Sequence, residues 1–275
     1  MPVTMIKTAY QQELKFAGTC QKGNKGKAVK QIQEWLNLSV PRFPNATLAT
    51  TVDSDYGSAT EKAVKNFQKA AGLPVTGIVT EEVFTVLSSP LKKAFTIPAK
   101  QPDFRKQVLQ IAQNHLTLKA IELQADDAQN LGPWVRSYCD GFDGSPFKWC
   151  MGFVQSVLDI ASTAHGKSFT SLMPQTLSCD VVAMAGKQKG VLIDNAAVRK
   201  APEKVKAGDV FLIRMAATSD WFHTGIITDI DGDVFETLEG NTDVKGSSNG
   251  TGVFARVRNF RKGVIDVFSI DGLSA

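Results

Sequence analysis

The chain of 275 residues contains no run of 18 or more apolar residues, so nothing in it reads as a membrane-spanning helix. It has no dense lysine or arginine cluster. Its net charge of +4 is too small and too scattered to point to nucleic acid. Histidine is scarce, at three, and there are only four cysteines: Cys20, Cys139, Cys150 and Cys179. None of the four stands in a short chelating pair, which argues against a zinc site. No apolar stretch of signal-peptide length follows Met1 to Lys7. The expectation is therefore a chain made in the cytoplasm, without a disulfide framework, delivered by another agent if it works outside. At least one cysteine is then free for chemistry.

What is present is an ordinary globular balance, 43% hydrophobic and 21% charged, in a length that suits two domains. The slight basic excess fits an acidic polymer as partner, and fits a plain solvated surface equally well.

An internal repeat stands near the start. Lys27-Ala28-Val29-Lys30-Gln31-Ile32-Gln33 returns 35 residues later as Lys62-Ala63-Val64-Lys65-Asn66-Phe67-Gln68, with five of seven residues identical. Val29, Ile32 and Leu36 recur at helical spacing, as do Val64 and Phe67. Turn residues precede each copy: Gly23 to Gly26, then Asp55 to Ser58. A third turn at Val75-Thr76-Gly77 leads to Thr80, an expected N-cap, with Glu81 and Glu82 in the first helical turn. Residues 19–90 thus read as a small all-α unit of three helices after an arm, 1–18. Pro90, Pro98 and Pro102 break the pattern and predict a linker over 91–103.

Tyr56-Gly57-Ser58-Ala59-Thr60-Glu61-Lys62-Ala63-Val64 continues into Phe67-Gln68 and Gly72-Leu73. With Thr76-Gly77-Ile78-Val79-Thr80, this resembles the repeat-derived, three-helix peptidoglycan-binding domain. Asp53-Ser54-Asp55 departs from the family's Asp-Gly turn, and the 40–50 connection is longer than usual. The resemblance implies peptidoglycan as partner.

Residues 104–275 read as helices first and antiparallel strands second, an α+β layout. A helix is expected from Phe104 through Ala112 with His115 near its end. Strands are expected at 210–213, 224–228, 234–238, 252–257 and 263–270, with a turn at Asp231-Gly232-Asp233.

Three pieces here carry chemistry. Trp149-Cys150-Met151-Gly152-Phe153-Val154 opens an amphipathic helix, and a thiol in a first helical turn is stabilised as thiolate by the helix dipole. Alone, such a cysteine is more often buried packing. Phe222-His223-Thr224-Gly225 sets a histidine at the start of an apolar strand. Glu239-Gly240-Asn241 follows the hairpin. If residues 231–233 form its loop, His223 lies opposite Asn241, and Glu239 and Asn241 share its face. Either could orient the imidazole, as nucleophile–base–orienter sites require.

The order Cys150, His223, Glu239-x-Asn241 resembles the CHAP family of cysteine hydrolases, relatives of papain-like enzymes. Asn130-Leu131-Gly132, Val135, Tyr138 and Lys206-Ala207-Gly208-Asp209-Val210-Phe211 extend the likeness over roughly 110–275. The resemblance implies a papain-like domain that cuts amide bonds of the wall peptide, with Cys150 as nucleophile, His223 as base, and Glu239 or Asn241 as polar partners. No cofactor is expected. Some members hold calcium near the positions of Asp140 and Asp143, but a solvated turn is the better reading of two carboxylates. The segment 187–201 matches less well and reads as an insertion. Trp134, Trp149 and Trp221 read as core or cleft.

The bond could be that of an N-acetylmuramoyl-L-alanine amidase or of an endopeptidase. The setting could be a phage endolysin or an injected antibacterial effector with an immunity protein and a delivery machine as partners. Action in the periplasm or cell wall follows from either. The alternatives are a non-catalytic wall-binding scaffold and a cysteine protease acting on proteins.

Overall fold

A computed structural model describes residues 3–125 and 128–274. Met1, Pro2 and Ala275, which the expected arm and C-terminal unit include, lie outside the described residues.

The chain opens with the short helix α1 (Tyr10–Glu13), then α2 (Lys27–Leu38), α3 (Ser58–Ala70) and α4 (Glu81–Ala94). Val29, Ile32, Trp35 and Leu36 of α2 are buried, as are Val64 and Phe67 of α3, so each helix buries one stripe. The two repeat glutamines do the same work in each copy. Gln33 donates to Asp53, to the Asp55 carbonyl and to Thr60, and accepts from the Ser54 N–H at 2.9 Å. Gln68 donates to Thr76 and to the Ile78 carbonyl, and accepts from the Thr76 and Gly77 N–H groups. Each buried amide pins the turn that follows its helix. Ser54 takes a left-handed φ of 66° where the family's turn has glycine.

Thr80 caps α4 by accepting from the Val83 N–H. The expected break at Pro90 does not occur: α4 runs through Pro90 to Ala94. Proline removes the N–H that would bond the Val86 carbonyl, and the Ser89 hydroxyl takes that carbonyl instead at 2.9 Å. Leu91, Ala94 and Phe95 are buried. Phe95 stacks on Tyr10 at 4.7 Å and meets the His115 ring edge-on. The first part of the expected linker is therefore core.

Next come α5 (Phe104–Thr117), the hairpin β1 (Leu123–Ala125) and β2 (Ala128–Leu131), α6 (Pro133–Tyr138), α7 (Cys150–Ala164) and α8 (Cys179–Gln188). The segment 187–201 folds into β3 (Leu192–Ile193) and α9 (Asn195–Lys200). The strands β4 (Val210–Arg214), β5 (Trp221–Asp231), β6 (Val234–Thr242), β7 (Gly252–Asn259) and β8 (Val264–Phe268) follow, and α10 (Asp271–Ser274) ends the described chain. One antiparallel sheet has the order β3-β8-β4-β5-β6-β7. The protein is thus mixed helix and antiparallel sheet. Val210, Leu212, Ile226 and Leu238 join the large core around α5 and α7, and Phe211, Ile227, Phe235 and Ile265 form a second cluster with Val198.

Charged contacts tie the first helices to the rest. The backbone N–H groups of Ile6 and Lys7 donate to Asp159 at 2.8 and 2.7 Å, and Lys7 pairs with Asp140 at 2.7 Å. Arg136 of α6 binds Glu13, Glu34 of α2 and Asp143 at 2.6 to 2.8 Å. Asp140 and Asp143 are therefore ion-pair partners. Among the described residues no group of His, Cys, Asp or Glu is arranged to hold a metal ion.

Candidate active site

Cys150 is the first residue of α7, and its thiol is almost wholly buried. Trp149, just before it, stacks on Tyr138 at 5.2 Å and donates its indole N–H to Glu122. Trp134 and Trp221 are buried as well, so all three tryptophans are core residues.

His223 lies in β5, which pairs with β6 through a tight turn and a bulge. The hairpin loop is two residues, Gly232 and Asp233, because Asp231 pairs with Val234. That register alone would set His223 opposite Thr242. A bulge at Thr228 shifts the ladder by one, so Ile227 pairs with Thr237 and Ile226 with Leu238. The paired ladder ends there, and just beyond it Gly225 lies against Glu239.

Gly225 leaves the space that Glu239 needs. A Cβ there would stand 2.8 Å from the Glu239 Cγ and 2.8 Å from the Phe211 ring. The carboxylate crosses this gap diagonally, and its Oε2 lies 2.8 Å from His223 Nε2. Gly240 has the same use on the other side: a Cβ would meet Phe153 at 2.6 Å, so β6 runs close against α7.

Glu239 is fully buried and held on every side. Thr237 donates its hydroxyl to Oε1 at 2.7 Å, and the Arg258 guanidinium donates to both oxygens. Burial would push its pKa up, but Arg258 and His223 overcome that and hold it at about 2. An ionised carboxylate only accepts, so Nε2 carries the proton that it receives. Nδ1 is then the nitrogen left to interact with the thiol, and among the described residues it makes no hydrogen bond.

Cys150 and His223 shift each other. The Cys150 thiol is drawn well below its usual range, first by the Cys179 thiol and then, against burial, by His223. Burial would lower His223, but the Cys150 thiolate and Glu239 raise it to about 9. Cys179, the first residue of α8, is pushed up by its contact with Cys150 and by burial, which leaves it a donor toward the Cys150 sulfur. These shifts favour a thiolate–imidazolium pair backed by a carboxylate.

Of the four expected residues, Cys150, His223 and Glu239 come together. Asn241 is buried beside them in a bulge of β6 with φ 56°, and its amide reaches Asn249 rather than the imidazole. Among the described residues its Oδ1 has no partner. Sequence reasoning missed Cys179, Thr237 and Arg258. Cys179 follows Ser178, an N-cap, and opens a helix as Cys150 does, so that signal was available. No spacing links Arg258 to Glu239.

One comparison with known families falls in the N-terminal part. The family described as "Putative peptidoglycan binding domain" matches residues 25–87. A curated relative, the zinc D-Ala-D-Ala carboxypeptidase of Streptomyces albus G, is 35% identical over 69 residues, which are 25% of this chain and 26% of that protein. The chain thus spans about a quarter of that relative's length. The solved structure titled "The crystal structure of SleB N-terminal domain" is 28% identical, with a TM-score of 0.24, over 28% of this chain and 99% of that one. Residues 25–87 are thus similar to a peptidoglycan-binding domain.

Proposed function

We propose that the chain is a peptidoglycan hydrolase that cuts amide bonds of the wall peptide with Cys150 as nucleophile and His223 as base. The contact of Cys150 with an imidazole whose far nitrogen is bonded to a buried, ionised Glu239 carries this reading. The CHAP-like order of these residues and a wall-binding domain upstream support it. In this reading residues 104–275 are the papain-like hydrolase unit, and residues 19–90 bring it to its substrate. No cofactor takes part.

His223 Nδ1 holds the proton taken from Cys150. The thiolate attacks the amide carbonyl carbon, and the oxyanion receives hydrogen bonds from backbone N–H groups at the start of α7. Nδ1 then gives its proton to the leaving amine as the C–N bond breaks. Water, deprotonated by His223, attacks the thioester, and the acid leaves as the thiol re-forms. Glu239 holds the ring in the tautomer this needs.

A non-catalytic scaffold would have no use for an ionised thiol backed by a buried carboxylate. A protease acting on proteins would have no use for the wall-binding domain. Release by a phage as an endolysin, or injection as an effector with an immunity protein, both fit action on the wall. The test is mass spectrometry of purified sacculi after digestion. Wild type is expected to release muropeptides whose new ends identify amidase or endopeptidase cleavage, and Cys150→Ala to release none. Release by the variant equal to wild type would sink the assignment.

A further inference from the structure

We infer that Arg258 is a positioning residue for this hydrolysis: by clamping both oxygens of Glu239 it fixes which tautomer of His223 faces Cys150. The inference rests on the hydrolase reading above, since a tautomer matters only if His223 acts as base.

The geometry is that of a fork on a carboxylate. Arg258 Nε donates to Oε1 and Nη2 to Oε2. Such paired, charge-assisted contacts fix orientation as well as charge. Thr237 fills the remaining side of Oε1, and Oε2 is left to His223. Arg258 comes from β7, where its register partner is Phe235, while Glu239 faces Phe254. The guanidinium therefore leans along the sheet to reach Glu239, and it lies over the Phe211 ring at 5.2 Å. The arginine is mostly buried, at 16% exposure, and the carboxylate wholly so.

A buried carboxyl without a cation takes up a proton readily. If Glu239 did so, its O–H could donate to Nε2, and the ring proton would move to Nδ1. That nitrogen could no longer accept the proton of Cys150. Arg258 prevents this without touching substrate or thiol, because it makes the ionised, acceptor-only form of Glu239 the stable one. His223 also profits from the fixed direction of Oε2.

The test is a two-residue cycle with a soluble muropeptide, comparing wild type, Arg258→Met, Glu239→Gln and the double variant. Arg258→Met is expected to lower kcat roughly thirtyfold or more with little change in KM. The acid limb of its kcat/KM profile should move to higher pH, because Glu239 now protonates more easily. Arg258→Lys should restore part of the rate. In the Glu239→Gln background Arg258→Met should cost less than about twofold, since it acts only through the carboxylate. Equal losses in both backgrounds, or an unmoved acid limb, would overturn the inference. If Arg258→Met does not fold, Arg258→Lys takes its place in the cycle, with the same two outcomes deciding. An inactive wild type, or an active Cys150→Ala, would instead refute the hydrolase reading and is seen separately.

Discussion

The buried polar groups of the wall-binding region and those around Cys150 are handled in opposite ways. Gln33 and Gln68 are neutral, and each bonds to residues 8 to 27 positions further along the chain. Every partner except Thr60, in the first turn of α3, lies in a loop or turn. Around Cys150 the groups are charged and come from α7, β5, β6 and β7, up to 108 residues from the thiol in the case of Arg258. Buried neutral amides with full hydrogen bonding hold a fold in place. Buried charges that face one another across several elements are costly, and such arrangements cluster where chemistry is done.

Four experiments bear on that contrast. The largest effect belongs to Cys150→Ala, which should abolish muropeptide release while pull-down on sacculi stays at the wild-type level. Loss of binding would mean that the two regions do not divide the work. Next is acid. Glu239 has its pKa depressed from 4.5 to about 2 in the folded protein, so its stabilisation is present above about 4.5 and is lost as pH falls toward 2. The loss is on the order of 3 kcal/mol. Resistance to denaturant should fall across that range in wild type and fall less in Glu239→Gln.

Gly225→Ala is third. Its methyl group would meet the Glu239 Cγ and push the carboxylate off Nε2, with an expected loss of roughly 100-fold in kcat/KM. An unchanged rate would show that the diagonal contact is not needed. The smallest effect is on the other side of the comparison. Gln68→Ala leaves the Thr76 and Gly77 N–H groups without their acceptor and should cost about 2 kcal/mol of stability. A fluorescence-monitored urea titration measures it, and kcat on a soluble muropeptide should not move.

The wall-binding region was legible because its information is local. The repeat, the turns and the cap at Thr80 all act within a few residues. The misreading there was Pro90, taken as a break. Proline does remove a helical bond, but Ser89 supplies a substitute and the apolar stripe through Leu91 and Ala94 continues to draw the helix into the core. At the candidate site, Cys150 was visible as a helix start and His223 as a strand start. A three-residue loop was expected between β5 and β6, whereas the protein uses two loop residues and a bulge at Thr228. Periodicity cannot detect either deviation.

Composition, the repeat, and the order of cysteine, histidine and Glu-x-Asn were determined by the sequence itself, because each is read along the chain without reference to what packs against it. Which polar residue touches the imidazole was decided only by the tertiary structure. Glu239 rather than Asn241 reaches His223, since Gly225 leaves room on one diagonal and a bulge turns Asn241 aside. Arg258 and Cys179 join the site for the same reason: strand register and helix packing bring together residues that no spacing in the chain connects.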